Sequence, residues 1–150
     1  MIERVQDLFA QINNPATATC ITTNGIVKEH SGMAVMGAGV AKLVRDKYLY
    51  CDIILGALIS QNGNIVQQFL TRPVVLIAFP TKNNYTEISS LQIIEQSAHQ
   101  LKEWADNHPQ FTAIVLPRPG TNNGGLIWED VKPILEKILA EDKFVIIHKE

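Results

Sequence analysis

Three short stretches carry residues whose types and spacing could do chemistry. In ITTNGIVKEHSGMAVMGAGVAKLVRDKY, residues 21–48, Asn24-Gly25 breaks an apolar strand and Gly37-Ala38-Gly39 opens a helix. In FPTKNNYTEISS, residues 79–90, Lys82 follows directly on an apolar run. In LPRPGTNNGGLIWED, residues 116–130, a glycine-rich turn again leads into a helix. Glycine has no Cβ, so a phosphate oxygen can reach the backbone amides, and a helix N-terminus favours negative charge. One such loop alone reads better as a turn whose glycines supply positive φ. Two of them in one α/β unit point to a ligand. Neither is a P-loop, since no Gly-Lys-Ser/Thr follows, and Gly37-Ala38-Gly39 runs into Val40-Ala41-Lys42 rather than completing G-x-G-x-x-G. The anion would be held by amides rather than by a lysine and magnesium. Lys82 taken alone is a solvated charge. Between two phosphate-type loops, after a buried strand, it becomes a candidate for function.

The elements that must position these residues are legible as α/β alternation. Ile2, Val5, Leu8, Phe9 and Ile12 recur at helical spacing and predict a short helix over Ile2–Ile12, with a frayed edge strand as the alternative. Ala16–Thr23 reads as a buried strand, and Gly39–Tyr48 as a helix with Val40, Leu43 and Val44 on one face. ILGALISQNGNIVQQFL, residues 54–70, reads as two strands around the hairpin signal Asn62-Gly63. Val74–Pro80 is a near-continuous apolar run, as in a strand covered on both faces. A helix from about Ser89 to Asn107, a strand Phe111–Pro117, a helix Trp128–Ala140 and a last strand Phe144–His148 follow. Trp104 fits a buried helical stripe, and Trp128 reads as an anchor of its helix. The expectation is one domain over residues 1–150, with a largely parallel sheet, one antiparallel hairpin and ligands at the carboxyl ends of the strands.

Composition narrows the function classes. At 150 residues, 46% hydrophobic and 19% charged, with a formal charge of −2, the chain has no global basic field to draw it onto nucleic acid or anionic lipid. Cys20 and Cys51 lie in or beside apolar runs and read as small hydrophobes in a reducing compartment. His30, His99, His108 and His148 are scattered, without zinc-ligand spacing, so no metal site and no cofactor is expected. Met1-Ile2-Glu3-Arg4 lacks the apolar core of a signal peptide and no stretch approaches a membrane span, which predicts a cytoplasmic protein without membrane contact.

Beyond this reading, AVMGAGVAKLVRDKY together with LPRPGTNNGGLIWEDVKPILEKIL resembles the macro domain family, which binds ADP-ribose on a three-layer α/β/α sandwich with a mixed, largely parallel central sheet. The resemblance runs from about Thr19 to the C-terminus. It implies that Val35, Met36, Gly37, Ala38, Gly39 and Val40, with Pro119, Gly120, Thr121, Asn122, Asn123, Gly124, Gly125 and Leu126, wrap the diphosphate and distal ribose. It also implies that Asn24 hydrogen-bonds the distal ribose. Asp7-Leu8 is similar to the family's adenine-contacting pair, although that aspartate follows a strand and a helix is predicted here. The competing reading of Asp7 is a solvated helix-face carboxylate.

FPTKNNYTEISSLQIIEQSAHQL resembles the subgroup of the animal terminal ADP-ribose glycohydrolase and of antitoxins that reverse DNA ADP-ribosylation. Its catalytic lysine maps onto Lys82. An unprotonated amine there needs burial or a neighbouring cation, for which Arg118 is a candidate. The aspartate that assists the lysine in the animal enzyme is replaced by Gly124, as in the antitoxin branch. Glu87, Glu129 and Asp130 are speculative substitutes. The antitoxins' tryptophan and arginine after the lysine are here Tyr85 and Thr86, which weakens a nucleic-acid substrate. Tyr85 reads either as a residue that stacks on a ligand or covers the cleft, or as packing.

The resemblance therefore implies hydrolysis of terminal ADP-ribosyl linkages with Lys82. Its alternatives are a non-catalytic ADP-ribose reader, and a phosphatase or deacetylase of ADP-ribose derivatives. The implied partners are ADP-ribose or an ADP-ribosylated protein, nucleic acid or metabolite, with a toxin as a further candidate.

Overall fold

The computed structural model describes residues 1–149. A six-stranded sheet runs in the order β1-β6-β5-β2-β4-β3, where β1 is Ile2–Val5, β2 Thr17–Thr23, β3 Gln67–Leu70, β4 Leu76–Pro80, β5 Ala113–Pro117 and β6 Phe144–His148. Every neighbouring pair is parallel except β3–β4. The helices are α1 Gly39–Lys47, α2 Cys51–Asn62, α3 Leu91–Asp106 and α4 Trp128–Ile138.

Alternation along each strand assigns the two faces. In β4, Leu76 and Ala78 join a cluster with Val44, Cys51, Leu55 and Ile59 of α1 and α2. Their neighbours Ile77 and Phe79 join Ile94, Ala98, Leu101, Val131 and Leu135 of α3 and α4. In β6, Val145 and Ile147 face α1 and α2, while Phe144 and Ile146 face the other pair. The result is the expected three-layer α/β/α sandwich. Both cysteines are buried and free, and burial pushes the Cys51 thiol up to about 11. They pack as small hydrophobes.

Two expected elements differ. Ile2–Val5 is the edge strand of the alternative reading rather than the start of a helix, and it pairs in parallel with β6, Ile2 opposite Val145. The apolar periodicity ran across two kinds of structure. Beyond Val5 the chain makes successive turns, with the amides of Ala10, Ile12 and Asn14 bonded to the carbonyls of Asp7, Phe9 and Gln11. Leu8 and Ile12 are buried by those turns. Pairing with β1 satisfies the backbone of β6 that an edge would leave open.

The second difference lies at Asn62-Gly63. Residues 51–62 form α2, with Cys51, Leu55, Gly56 and Ile59 on its buried face. Gly63, at φ 91°, caps the helix through an amide bonded to the Ile59 carbonyl. A glycine after an asparagine serves a helix C-terminus as readily as a hairpin, because both need positive φ. One antiparallel pair does exist, but it joins β3 to β4.

Candidate functional site

Parallel pairing delivers the carboxyl ends of β1, β6, β5, β2 and β4 to one edge of the sheet, and the loops of interest leave from there. The first loop, 24–38, doubles back on itself. Asn24 Nδ2 donates to the Val35 carbonyl (3.0 Å), Asn24 Oδ1 accepts from the Ile26 amide (2.9 Å), and Val27 bridges Ala34. Asn24 thereby closes the loop, and both its amide atoms keep a second hydrogen-bonding valence. Close packing fixes the loop on α2. A Cβ on Gly56 would stand 1.9 Å from the Gly32 carbonyl oxygen, so only glycine lets the two backbones meet.

The loop ends at α1. Met36 is buried beneath it, while Gly37, Ala38 and Gly39 are exposed. Ala38 at the N-cap offers no side-chain cap, so the first amides of α1 stay open to an external acceptor. Nothing lies within 4 Å of a Cβ built on Gly37.

The third loop, 118–127, is wound by its own bonds. Thr121 Oγ1 donates to the Arg118 carbonyl (3.0 Å) and the Leu126 amide to the Gly120 carbonyl (2.9 Å), with Asn122–Gly124 in a 3-10 turn. Pro119, Gly120 and Gly124 are buried, whereas Asn122, Asn123 and Gly125 are exposed and Thr121 and Leu126 half-buried. The buried members shape the loop, and the exposed ones face outward from it.

The second loop, 81–90, is stitched to both others. The Gly25 amide donates to the Asn83 carbonyl (2.9 Å), and the Ser89 amide to the Gly124 carbonyl (2.8 Å). A Cβ at Gly124 would meet Ser89 Oγ at 2.4 Å, so this weld depends on glycine. Half-buried Lys82 donates from Nζ to the Glu87 carbonyl (3.2 Å). The hydroxyls of Thr23 and Ser89, one at the end of β2 and one beside Gly124, are buried without a partner.

A cavity of about 500 Å³ opens at the ends of β1, β6 and β5. Of the residues expected to contact ADP-ribose, Asp7, Leu8, Gly39, Val40, Thr121 and Asn122 line it. Asp7 follows a strand after all. Its carboxylate accepts from the Phe9 amide (2.8 Å) and lies 3.2 Å from Lys149, which together hold it below the usual carboxylate range. Lys82 and Asn24 do not line this cavity. They belong to the β2 and β4 ends, beyond β5 in the sheet order.

The same cavity contains residues that sequence reasoning missed or misplaced. Arg118 does not serve as the cation beside Lys82. Its guanidinium lies 3.6 Å from Glu3 and stacks over Trp128 at 4.9 Å. Glu3 also receives Lys132 at 2.8 Å and the Trp128 indole N–H at 3.0 Å. Lys132 chiefly, with help from Trp128 and Arg118, lowers the Glu3 carboxyl below its ordinary value. Gln6, Phe9 and His148 complete the walls. Of these residues, Trp128 does anchor its helix, but through Glu3 on β1, a contact across the chain that local spacing does not encode. Among the substitutes considered for the missing aspartate, Glu87 reaches Lys82 through its carbonyl, and Glu129 and Asp130 are exposed in the first turn of α4. Among the described residues no cluster of His, Cys, Asp or Glu could hold a metal ion, and no helix is long and apolar enough to cross a membrane.

No protein-family model matches the sequence, and no curated protein does. Solved structures do. The macrodomain of Mycobacterium tuberculosis DarG superposes with a TM-score of 0.78 at 23% identity, over 99% of this chain and 97% of that one. The macrodomain of Thermus aquaticus DarG gives 0.73 at 22% identity, over 99% and 98%. Thermosipho africanus DarTG, solved in complex with ADP-ribose, gives 0.78 at 18% identity, and this chain, matched over its full length, spans 42% of it. By these superpositions the chain has the macrodomain fold.

Proposed function

We propose that this protein binds ADP-ribose along the carboxyl edge of its sheet and releases it from a terminal ADP-ribosyl linkage at Lys82. The observation that carries the reading is the cavity that joins Asp7 and Leu8 to the uncapped N-terminus of α1 at Gly39 and Val40. A carboxylate accepts from an exocyclic amine of a base, and open helix amides accept the charge of a diphosphate. The ends of β6 and β4 are three strand spacings apart, roughly 14 Å, a distance that a nucleoside, a diphosphate and a second sugar can cover. The complex of Thermosipho africanus DarTG with ADP-ribose supports the same ligand.

In this arrangement the first loop, Val35 to Val40, and the third, Pro119 to Leu126, hold the diphosphate. The spare valences of the Asn24 amide orient the distal ribose. Lys82 stands at the ribose carbon that carries the acceptor. Its hydrogen bond to the Glu87 carbonyl fixes the amine in place, from where it acts either as nucleophile at that carbon or as electrostatic catalyst for the departing acceptor.

Calorimetry with ADP-ribose on the wild type, Gly37→Glu and Lys82→Ala tests the site. Binding is expected in the wild type and in Lys82→Ala, and its loss in Gly37→Glu, whose side chain would occupy the anion cradle. No binding by the folded wild type overturns the reading. Release of ADP-ribose from modified substrates, abolished in Lys82→Ala, separates the hydrolase from a reader. Activity on ADP-ribose 1″-phosphate or O-acetyl-ADP-ribose that survives Lys82→Ala would assign the site to phosphatase or deacetylase chemistry instead.

A further inference from the structure

Resting on the ADP-ribosyl reading above, we infer that the acceptor presented to Lys82 is a protein segment, received on an apolar, cation-poor rim that does not suit a polynucleotide. Tyr85, Ile88 and Ile127 are 55%, 72% and 59% exposed, and Leu91 is 37% exposed. Single exposed apolar residues are ordinary, but these converge. The carbonyl of Glu87 holds the Lys82 amine. The next residue, Ile88, has Cγ2 3.3 Å from where a Cβ on Gly125 would stand. Ile127 lies two residues beyond Gly125 and is the N-cap of α4. Tyr85 sits in the turn that the Asn84 carbonyl closes on the Glu87 amide (3.0 Å) and that the Asn84 side chain ties to Thr86. Tyr85 and Ile88 therefore lie on the loop that carries Lys82, and Ile127 on the loop bonded to it through Ser89 and Gly124.

Its charge argues against the alternative. Residues 85–91 and 121–130 contribute the acids Glu87, Glu129 and Asp130 and no lysine or arginine. A polynucleotide is held chiefly by cations that neutralise its phosphates, and here its backbone would approach carboxylates. Arg118, at the head of the third loop, is engaged with Glu3 and Trp128. The run of cations Lys42, Arg45 and Lys47 belongs to α1, which packs on the other face of the sheet from α3 and α4. A peptide with apolar residues flanking its modified side chain can instead lay them on Tyr85, Ile88 and Ile127 and leave its backbone in water.

Competition binding in the Lys82→Ala background tests this without turnover. The probes are free ADP-ribose, a mono-ADP-ribosylated peptide with apolar flanks, and a single-stranded oligonucleotide carrying ADP-ribose on a base. The peptide is expected to bind about tenfold tighter than free ADP-ribose, and the oligonucleotide no tighter than free ADP-ribose in roughly 0.15 M salt. Substituting Ile88→Lys and Ile127→Lys together, both on exposed positions, should erase the peptide's gain and leave free ADP-ribose unaffected. An oligonucleotide that binds tighter than the peptide, a peptide without advantage, or a gain that survives the two lysines would each overturn the inference. If free ADP-ribose itself fails to bind, the broader reading falls and takes the rim with it. If every probe binds as expected but the wild type releases no ADP-ribose, only the hydrolase reading fails and the rim stands.

Discussion

The two halves of the sheet's carboxyl edge are built from opposite materials. At the β1–β6–β5 end, side chains meet as ion pairs: Glu3 with Arg118 and Lys132, and Asp7 with Lys149. At the β2–β4 end the work is done by backbone. Asn24 ties the first loop to itself, Asn64 Nδ2 donates to the Lys82 carbonyl (3.0 Å), and the Gly25 and Ser89 amides join the loops to one another. Lys82 is the one charged side chain drawn into that framework, and it rests on a carbonyl. Partly exposed ion pairs contribute little to stability, about 0–1 kcal/mol each, but they fix direction. Bonded loop backbone fixes position and leaves protruding side chains free. The β1–β6–β5 end is thus fixed by paired charges, and the β2–β4 end holds one amine, that of Lys82, on bonded loop backbone.

That division can be broken, most severely at Lys82. Lys82→Ala should lower the rate of ADP-ribose release by on the order of 10²–10⁴-fold, with its dissociation constant for free ADP-ribose almost unchanged. Equal losses in rate and affinity would show that the two ends do not divide recognition from chemistry. Gly37→Glu comes next and acts between the ends. The protein should fold, since no atom stands near the added Cβ, yet affinity should fall about 10–100-fold as charge-assisted bonds to the diphosphate are lost. Asp7→Ala should weaken ADP-ribose by about tenfold, the loss of one charge-assisted hydrogen bond, and leave the maximal rate of release intact. A kinetic split of KM against kcat measures this directly.

A smaller effect, on stability, sharpens the contrast. Gly124→Ala forces Ser89 aside and should cost about 1–3 kcal/mol in denaturant unfolding. Glu3→Gln should cost under about 1 kcal/mol, because its pairs are partly exposed. The pH dependence follows from the same groups. Glu3 and Asp7 are both held below their ordinary values, so their stabilising contribution is complete above the unfolded carboxylate range. It is lost as pH falls through the folded values. As far as these groups determine it, thermal stability should be flat from about pH 5 to 8 and decline below about pH 4. A midpoint that shifts near neutrality in the wild type but not in Glu3→Gln would point to a different ionisation at the charged end.

Much of this was legible in the chain itself. The apolar runs at Val74–Pro80 and Phe111–Pro117 contain β4 and β5, and Ser90 caps α3 within a residue of the predicted start. The misses share a cause. Ile2–Ile12 and residues 54–62 both carry apolar patterns that local spacing cannot assign to a helix or a strand. At the first, a strand distant in sequence, β6, recruited Ile2–Val5 to the edge of the sheet. At the second, the helical face of Cys51, Leu55 and Ile59 was needed to cover β3 and β4, and Gly63 became a cap. Arg118 was misplaced for a similar reason. Its partner Glu3 lies on a strand more than a hundred residues away, beyond the reach of any local motif.

The sequence by itself determined the strands β2, β4, β5 and β6, the helices α1, α3 and α4, the two glycine-rich loops and the position of Lys82 after a buried strand, because periodicity and backbone freedom are local properties. Tertiary structure decided which strand closes the β6 edge, which carboxylates meet which cations, and how the three loops are sewn together. Those outcomes depend on backbone and charge partners that only parallel pairing brings to one edge of the sheet.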